Sequence, residues 1–382
     1  MNVLYLTEDY IGSRVHHNLC RSIVVADSQI DMTVFAFNRP NYPLRDLRPT
    51  YDGRNYRLVE SDFDGNLLMY RTLFPYKISC KYRQLTQKAD IEHTDLIVAS
   101  TLFSDGAVAL RLWQERQIPY VVVVRGTDVN LYLRRMPHLY RIGRQIVKDA
   151  QKVIFVSPVQ RRQFEKSLAF SRLANKLQSN LITITNGIDQ IWIDNQYLAN
   201  DNRCPNAILY IGVFDRNKNV STLIEACRQL RKQNPNLTLN LVGGGGPCEQ
   251  QIMRQIEQNA DWIIFHGAVY DKQKLMQICR QNAVFAMISK SETFGLVYFE
   301  ALTQGLPVVY TAGQGFDGVI DNLTVGYAVK SDNVSDIAEK LDSALTNRSA
   351  LLSDIRKIDF SVFGWPVKAG AWLNVIRAKS KE

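Results

Sequence analysis

The chain has 382 residues, 46% hydrophobic and 22% charged, and a formal net charge of +9. That length exceeds what one core ordinarily supports, so two domains are expected. No stretch approaches the ~20 apolar residues of a membrane span, residues 1–9 lack the apolar region of a signal peptide, and six scattered cysteines with no Cys-x-x-Cys pair speak against a disulfide framework or zinc site. A reducing cytosol is the expected compartment.

In chain order, short apolar runs predict strands at residues 3–6, 33–37, 96–100, 120–124, 153–156 and 181–185, with helical patterns between several of them. One such pattern, residues 104–117, opens on Ser104-Asp105 as a predicted cap. A turn signal follows at Asn186-Gly187-Ile188-Asp189. Strands are then predicted at residues 208–211, 237–242, 262–266, 284–288, 308–310 and 326–329, again separated by helices. The rhythm, run twice, predicts an α/β chain of two doubly wound parallel sheets. The expected domains are residues 1–185 and 186–365, with a terminal helical run over 366–382.

Charge divides unevenly between these halves. Residues 1–185 hold 26 Lys and Arg against 17 Asp and Glu, whereas residues 186–382 hold 20 of each. The densest stretch runs from Arg134 to Lys176. Such a face attracts an anionic membrane surface or a phosphate-bearing acceptor; solvated helix faces are the plain alternative. No aromatic-interleaved or zinc-finger pattern accompanies the charge, so nucleic acid is not expected as a partner.

The most informative run is residues 291–309. An apolar strand precedes it, Phe294-Gly295 turns the chain into a helix starting near Leu296, and Gly305 and Pro307 close that helix. The N–H groups of Phe294, Gly295 and Leu296 then crown a helix N-terminus, which attracts phosphate. Glu292 before the crown and Glu300 beyond its first turn are suited to accept hydrogen bonds from sugar hydroxyls.

This run resembles the Glu-seven residues-Glu motif of retaining GT-B glycosyltransferases, particularly glycosyltransferase family 4. The resemblance implies a GT-B fold of two Rossmann-like domains facing across a cleft, the second holding most of a nucleotide-sugar donor and the first an acceptor. It implies that Glu292 holds hydroxyls of the donor sugar and Glu300 the ribose. The turn at residues 186–189 resembles the family's Asn-Gly-x-Asp turn, with Thr185 where a proline is usual. The run Phe360-Ser361-Val362-Phe363-Gly364-Trp365-Pro366 and the helical pattern after it resemble the family's terminal helix crossing back to the first domain.

Further residues follow from the same resemblance. In the loop after residues 208–211, Gly212 lies beside the donor, and Lys218 matches a family lysine that neutralises the leaving diphosphate. Val213 stands where an arginine is usual, and Arg216 is the nearest substitute. Gly243 and Gly244 of the run 243–246 resemble the glycine loop beside the nucleotide. A nicotinamide-dinucleotide reading fails there, because Cys248 occupies the third glycine position. In the first half, Arg125 replaces a family histidine before Gly126-Thr127-Asp128 and retains the ability to stabilise phosphate. Gly12, with Asp9 and His16 as weaker candidates, lies in the loop after the first strand. Asp62-Phe63-Asp64 matches a metal-binding D-x-D pattern, but that pattern belongs to a single-domain architecture.

The resemblance implies a retaining, metal-independent glycosyltransferase without a cofactor. It would move a sugar from a UDP- or GDP-sugar to a glycan or lipid-linked acceptor in surface polysaccharide assembly. Glu292, Lys218 and Arg125 are the expected catalytic groups, and the expected location is the cytoplasm, peripheral on the inner membrane face. A sugar phosphorylase or epimerase on the same fold, and a non-catalytic nucleotide-sugar-binding subunit, are the alternatives.

Overall fold

The computed structural model describes residues 1–378 apart from residues 9, 39–52, 54, 64 and 200–202. The chain divides into two compact units. The first comprises residues 1–187 and 363–382, and the second residues 188–362.

The first unit is built on seven parallel strands: β1 (Asn2–Thr7), β2 (Asp31–Ala36), β3 (Tyr56–Glu60), β4 (Leu96–Ala99), β5 (Tyr120–Val124), β6 (Lys152–Phe155) and β7 (Leu181–Thr183). Their order is β3-β2-β1-β4-β5-β6-β7. Alternate residues serve opposite faces. Leu4, Leu6, Val122 and Val124 pack beneath the helices Phe74–Lys88, Ser104–Arg116 and Tyr140–Asp149. Val3, Tyr5, Val121 and Val123 pack beneath Arg14–Ala26 and Trp365–Ile376. Both faces being covered is why β4 and β5 read as unbroken apolar runs.

The edge strand β3 was not among the predicted strands. Its residues are mostly half-buried, and Tyr56-Arg57-Leu58-Val59-Glu60 lacks an apolar run. The helix at Ser104 begins as predicted, but its N-cap position is Phe103, which makes no side-chain cap bond. Thr101 accepts the Asp105 N–H at 3.0 Å, while Ser104 and Asp105 are buried. Gly187 is required by packing: a Cβ there would lie 2.6 Å from the Trp365 ring.

The second unit holds six parallel strands: β8 (Ala207–Gly212), β9 (Thr238–Gly243), β10 (Ile263–Phe265), β11 (Val284–Met287), β12 (Val308–Thr311) and β13 (Gly326–Val329). Their order is β10-β9-β8-β11-β12-β13. Strand order therefore reverses between β1 and β4 in one unit, and between β8 and β11 in the other. Crossovers leave in opposite directions at such a point, opening a crevice at the carboxyl ends of the two strands.

Candidate active site

In the second unit the loops after β8 and β11 meet at the switch point. Lys218 Nζ lies 2.7 Å from Glu292 Oε2, with 22% and 15% of the two side chains exposed. Asn217 ties the loops together. Its Nδ2 donates to the Ser291 carbonyl at 2.8 Å, its Oδ1 accepts the Ser291 N–H at 2.9 Å, and its carbonyl accepts the Lys290 N–H at 2.8 Å. Asp215 accepts the Lys218 N–H at 2.7 Å, fixing the backbone that carries the ammonium. The Glu292 backbone is pinned as well: its N–H donates to Gln314 Oε1 at 3.0 Å and its carbonyl accepts from Gly315 N–H at 3.0 Å. Among the described residues Lys218 meets one carboxylate, with only the weak acceptor Met287 Sδ nearby at 3.8 Å, so its ammonium retains donor capacity.

The helix Leu296–Thr303 starts beside this pair. Its cap residue, Gly295, has φ +81°, and a Cβ there would lie 2.5 Å from the Tyr298 ring, so only glycine fits. The N–H groups of Phe294, Gly295 and Leu296 meet no acceptor among the described residues. They offer a positive helix end next to the Lys218 ammonium. Phe294 itself is buried and stacks on Phe299 with ring centroids 4.8 Å apart.

Glu300 is half-buried, in a group with Trp192, Asp189 and Lys272. Burial first, and then the Asp189 charge, push its carboxyl up to about 7, while Lys272 and Trp192 act the other way. Asp189 is itself paired with Lys272.

The glycine run has a structural requirement of its own. Gly212 and Gly243 are paired in the sheet, and a Cβ on Gly243 would lie 1.8 Å from the Gly212 carbonyl oxygen. The N–H of Gly243 is taken by the Gly267 carbonyl at 2.8 Å, and that of Gly245 by Glu249 Oε1 at 2.8 Å. Gly244 has φ +145°, and its nearest neighbour for an added Cβ is Glu249 Oε1 at 3.3 Å. Arg216 is exposed and, among the described residues, makes no bond to the Lys218–Glu292 pair.

The crevice of the first unit is filled differently. Lys81, with no exposed side-chain surface, donates to Glu8 Oε1 at 2.9 Å, to Ser104 Oγ at 3.0 Å and to Asp105. Glu8 also meets Lys77 at 2.9 Å and accepts from Tyr70 at 3.3 Å. Burial disfavours its charge, but Lys81 and then Lys77 hold the carboxyl well below the ordinary range. Nothing in the sequence flagged Lys81, because a lysine in mid-helix ordinarily reads as solvated.

Arg125 follows β5 and donates through Nε to the Ser100 carbonyl at 2.8 Å. Asp128 sets that loop, accepting the N–H groups of Arg125, Leu102 and Phe103 at 2.9, 3.1 and 3.2 Å. Burial raises the Asp128 carboxyl to about 6 despite these three donors. Gly12 lies in the turn before Ser13, the side-chain cap of Arg14–Ala26. His16 is buried with Nδ1 2.8 Å from the Tyr5 hydroxyl, and burial, then Arg125, holds it well below its ordinary value. Asp9 lies outside the described residues, as does Asp64 of the D-x-D pattern; Asp62 is paired with Lys88 at 2.6 Å.

A parallel-sheet crevice that pairs a lysine with a glutamate beside an open helix N-terminus, on the second of two Rossmann-like units, defines a GT-B glycosyltransferase fold. The model of glycosyltransferase family 4 matches residues 13–190, and that of group 1 glycosyl transferases matches residues 197–358. The chain belongs to this family. Among its relatives are an uncharacterised glycosyltransferase of Methanocaldococcus jannaschii, 23% identical over 67% of each chain, and the phosphatidyl-myo-inositol mannosyltransferase of Mycobacterium leprae, 27% identical over 51% of this chain and 55% of that one. The chain spans about a third to two thirds of the length of most curated relatives it matches. The structure of Anabaena Alr3699/HepE in complex with UDP and glucose superimposes with a TM-score of 0.67 at 17% identity, covering 99% of this chain and 100% of that one.

Proposed function

We propose that this protein transfers a sugar, with retention of configuration and without a metal ion, from a nucleotide diphosphate sugar to a glycan or lipid-linked acceptor in surface glycoconjugate assembly. The observation that carries this reading is the Lys218–Glu292 contact of 2.7 Å beside the open N–H groups at Phe294–Leu296. As the bond to the donor sugar breaks, positive charge grows on the sugar and negative charge on the departing diphosphate. Lys218 and the helix N-terminus are aimed at the second of these charges, with Arg216 and Arg125 as further cations. In this reading Glu292 accepts from hydroxyls of the donor sugar, Glu300 from the ribose, and Gly12, Gly212, Gly243 and Gly244 let backbone approach the donor.

A UDP-sugar is the first donor to try, because the Anabaena neighbour was solved with UDP and glucose; GDP-sugars are the second. The mannosyltransferase relative takes its name from a phosphoinositide, which favours an acceptor borne on lipid. The basic first unit suits an anionic membrane face, and the cytoplasmic side is the proposed location. Among the described residues no helix is long and apolar enough to cross a membrane.

Thermal-shift screening against nucleotide sugars in EDTA tests the donor assignment. A donor at ~100 times its Kd stabilises by ~2.7 kcal/mol. Product anomeric configuration read by NMR tests retention. Phosphate-dependent turnover without an acceptor would favour a sugar phosphorylase, and donor binding without turnover a non-catalytic subunit.

A further inference from the structure

Two stretches of the first unit combine exposed apolar side chains with an excess of basic residues, although Lys77, Lys81 and Lys88 of the first stretch are paired with carboxylates. Residues 65–89 hold five Lys and Arg and no Asp or Glu, and residues 129–148 hold five more, again with no acid. The fold brings the stretches together. The Phe74 ring meets the Tyr132 ring edge-on with centroids 6.3 Å apart, and Tyr132 stacks on Phe103 at 4.8 Å. Leu73 and Leu131, immediately before those rings, are both exposed. Leu68, 72% exposed, and Met69 add to them from the helix Leu67–Thr72.

That helix is two-sided. Tyr70 is buried and reaches Glu8 at 3.3 Å, so the inner side closes the switch-point crevice, while Leu68, Met69 and Arg71 face solvent. Arg71, Arg134, Arg135 and Arg141 are exposed, and none pairs with a carboxylate among the described residues. Farther along the basic stretch some of the cations are engaged. Arg161 is paired with Glu165 at 2.9 Å, and Lys152 and Arg144 donate to the Ser179 and Ala169 carbonyls at 2.9 and 2.6 Å. Arg162, Lys166, Arg172 and Lys176 there are exposed without a carboxylate partner among the described residues, so what sets the first part apart is the apolar group of Leu68, Met69, Leu73 and Leu131 beside its arginines.

Single exposed leucines are ordinary on any surface, but four neighbouring apolar side chains set among arginines are not. Aliphatic side chains that can enter the headgroup layer, flanked by cations with no acid to repel lipid phosphate, match one occupant by charge and polarity: an anionic bilayer. We propose that this surface docks the first unit on anionic lipid, with Leu68, Met69, Leu73 and Leu131 entering the headgroup layer and Arg71, Arg134, Arg135 and Arg141 meeting phosphates. The proposal rests on the lipid-linked acceptor reading above, because it sets the Glu8 crevice directly behind the docked helix.

The test is co-sedimentation with vesicles of equal phosphatidylglycerol and phosphatidylcholine, against vesicles of phosphatidylcholine alone. The wild type should bind only the anionic vesicles and release at about 0.5 M salt. The triple variants Leu68→Ser/Leu73→Ser/Leu131→Ser and Arg71→Glu/Arg134→Glu/Arg135→Glu should each lower partitioning by on the order of 10-fold or more. Tryptophan placed by Leu68→Trp should shift its emission to the blue on anionic vesicles. Val25→Trp, on the Arg14–Ala26 helix of the opposite sheet face, should not. Equal binding to both vesicles, or full binding by the leucine variant, would overturn the proposal. So would binding to neither, and a dimer dissolved by the leucine substitutions would then assign the patch to a second copy of the chain. Stabilisation by UDP or GDP, read on the same samples, separates this failure from failure of the donor assignment and confirms that each variant is folded.

Discussion

At the switch point of each sheet a lysine meets a glutamate: Lys81 with Glu8 at 2.9 Å in the first unit, and Lys218 with Glu292 at 2.7 Å in the second. Their surroundings differ. Lys81 has no exposed surface and spends its three donors on Glu8, Ser104 and Asp105, so the cluster is closed and satisfied. Lys218 is 22% exposed and keeps donors in reserve, next to N–H groups that also lack acceptors among the described residues. A sealed pair holds loops in place, whereas an open pair beside a helix N-terminus can receive a charged ligand. The same topological position therefore carries structure in one unit and chemistry in the other.

The largest effect should come from breaking the sealed cluster. Lys81→Met leaves Glu8 and Asp105 without their shared cation and should cost about 3–5 kcal/mol of stability, read by denaturant unfolding. A loss below about 1 kcal/mol would mean that the cluster does not hold the fold. Lys218→Ala should invert the pattern, lowering kcat by roughly 10²–10³ while the apo protein keeps its stability to within about 1 kcal/mol. A variant with normal turnover would move the charge-stabilising role elsewhere.

Glu300→Ala should raise donor KM by about 10–100-fold and change kcat little, since contacts to a distant ribose are shared by ground and transition states. An unchanged KM with a collapsed kcat would contradict that placement. The smallest effect concerns protonation of the same residue. Its carboxyl is pushed from the ordinary 4.5 up to about 7, so the folded protein holds this proton more tightly than the unfolded chain does. The group's contribution is thus fully present below about pH 4.5 and is lost as pH rises through 7. Glu300→Gln should therefore stabilise the apo protein by about 1–3 kcal/mol at pH 8 and by nearly nothing at pH 4.5. A pH-independent difference would show that Glu300 is not strained by burial and Asp189.

Both sheets were legible in the chain because their central strands are buried on two faces. Runs such as Tyr120–Val124 have no other ready explanation. β3 was not, since a half-buried edge strand with Arg57 and Glu60 leaves no such run. Ser104 and Asp105 show the limit of local rules. Their composition suggests a cap, yet both are drawn inward by Lys81, a contact 23 and 24 residues away in sequence, and Thr101 takes over the N–H. In the second unit, motif spacing singled out Glu292 and Lys218 separately, but not their contact or the Asn217 clamp that enforces it. Gly243 reads in the sequence as a point of close approach to a ligand, yet its Cβ-free position is already demanded by Gly212. The Asp189–Lys272 pair beside Glu300 needs the fold, because it joins residues 83 apart.

The most direct test of the central claim is calorimetric titration of UDP, GDP and the corresponding nucleosides into wild type and Lys218→Ala, all in EDTA. If the open pair and the helix N-terminus at Phe294–Leu296 receive a diphosphate without a metal, one nucleoside diphosphate will bind the wild type in EDTA far more tightly than its nucleoside. Lys218→Ala will then erase most of that difference while leaving nucleoside affinity unchanged. Binding that appears only when Mg²⁺ or Mn²⁺ is restored, or a diphosphate preference untouched by Lys218→Ala, would contradict it.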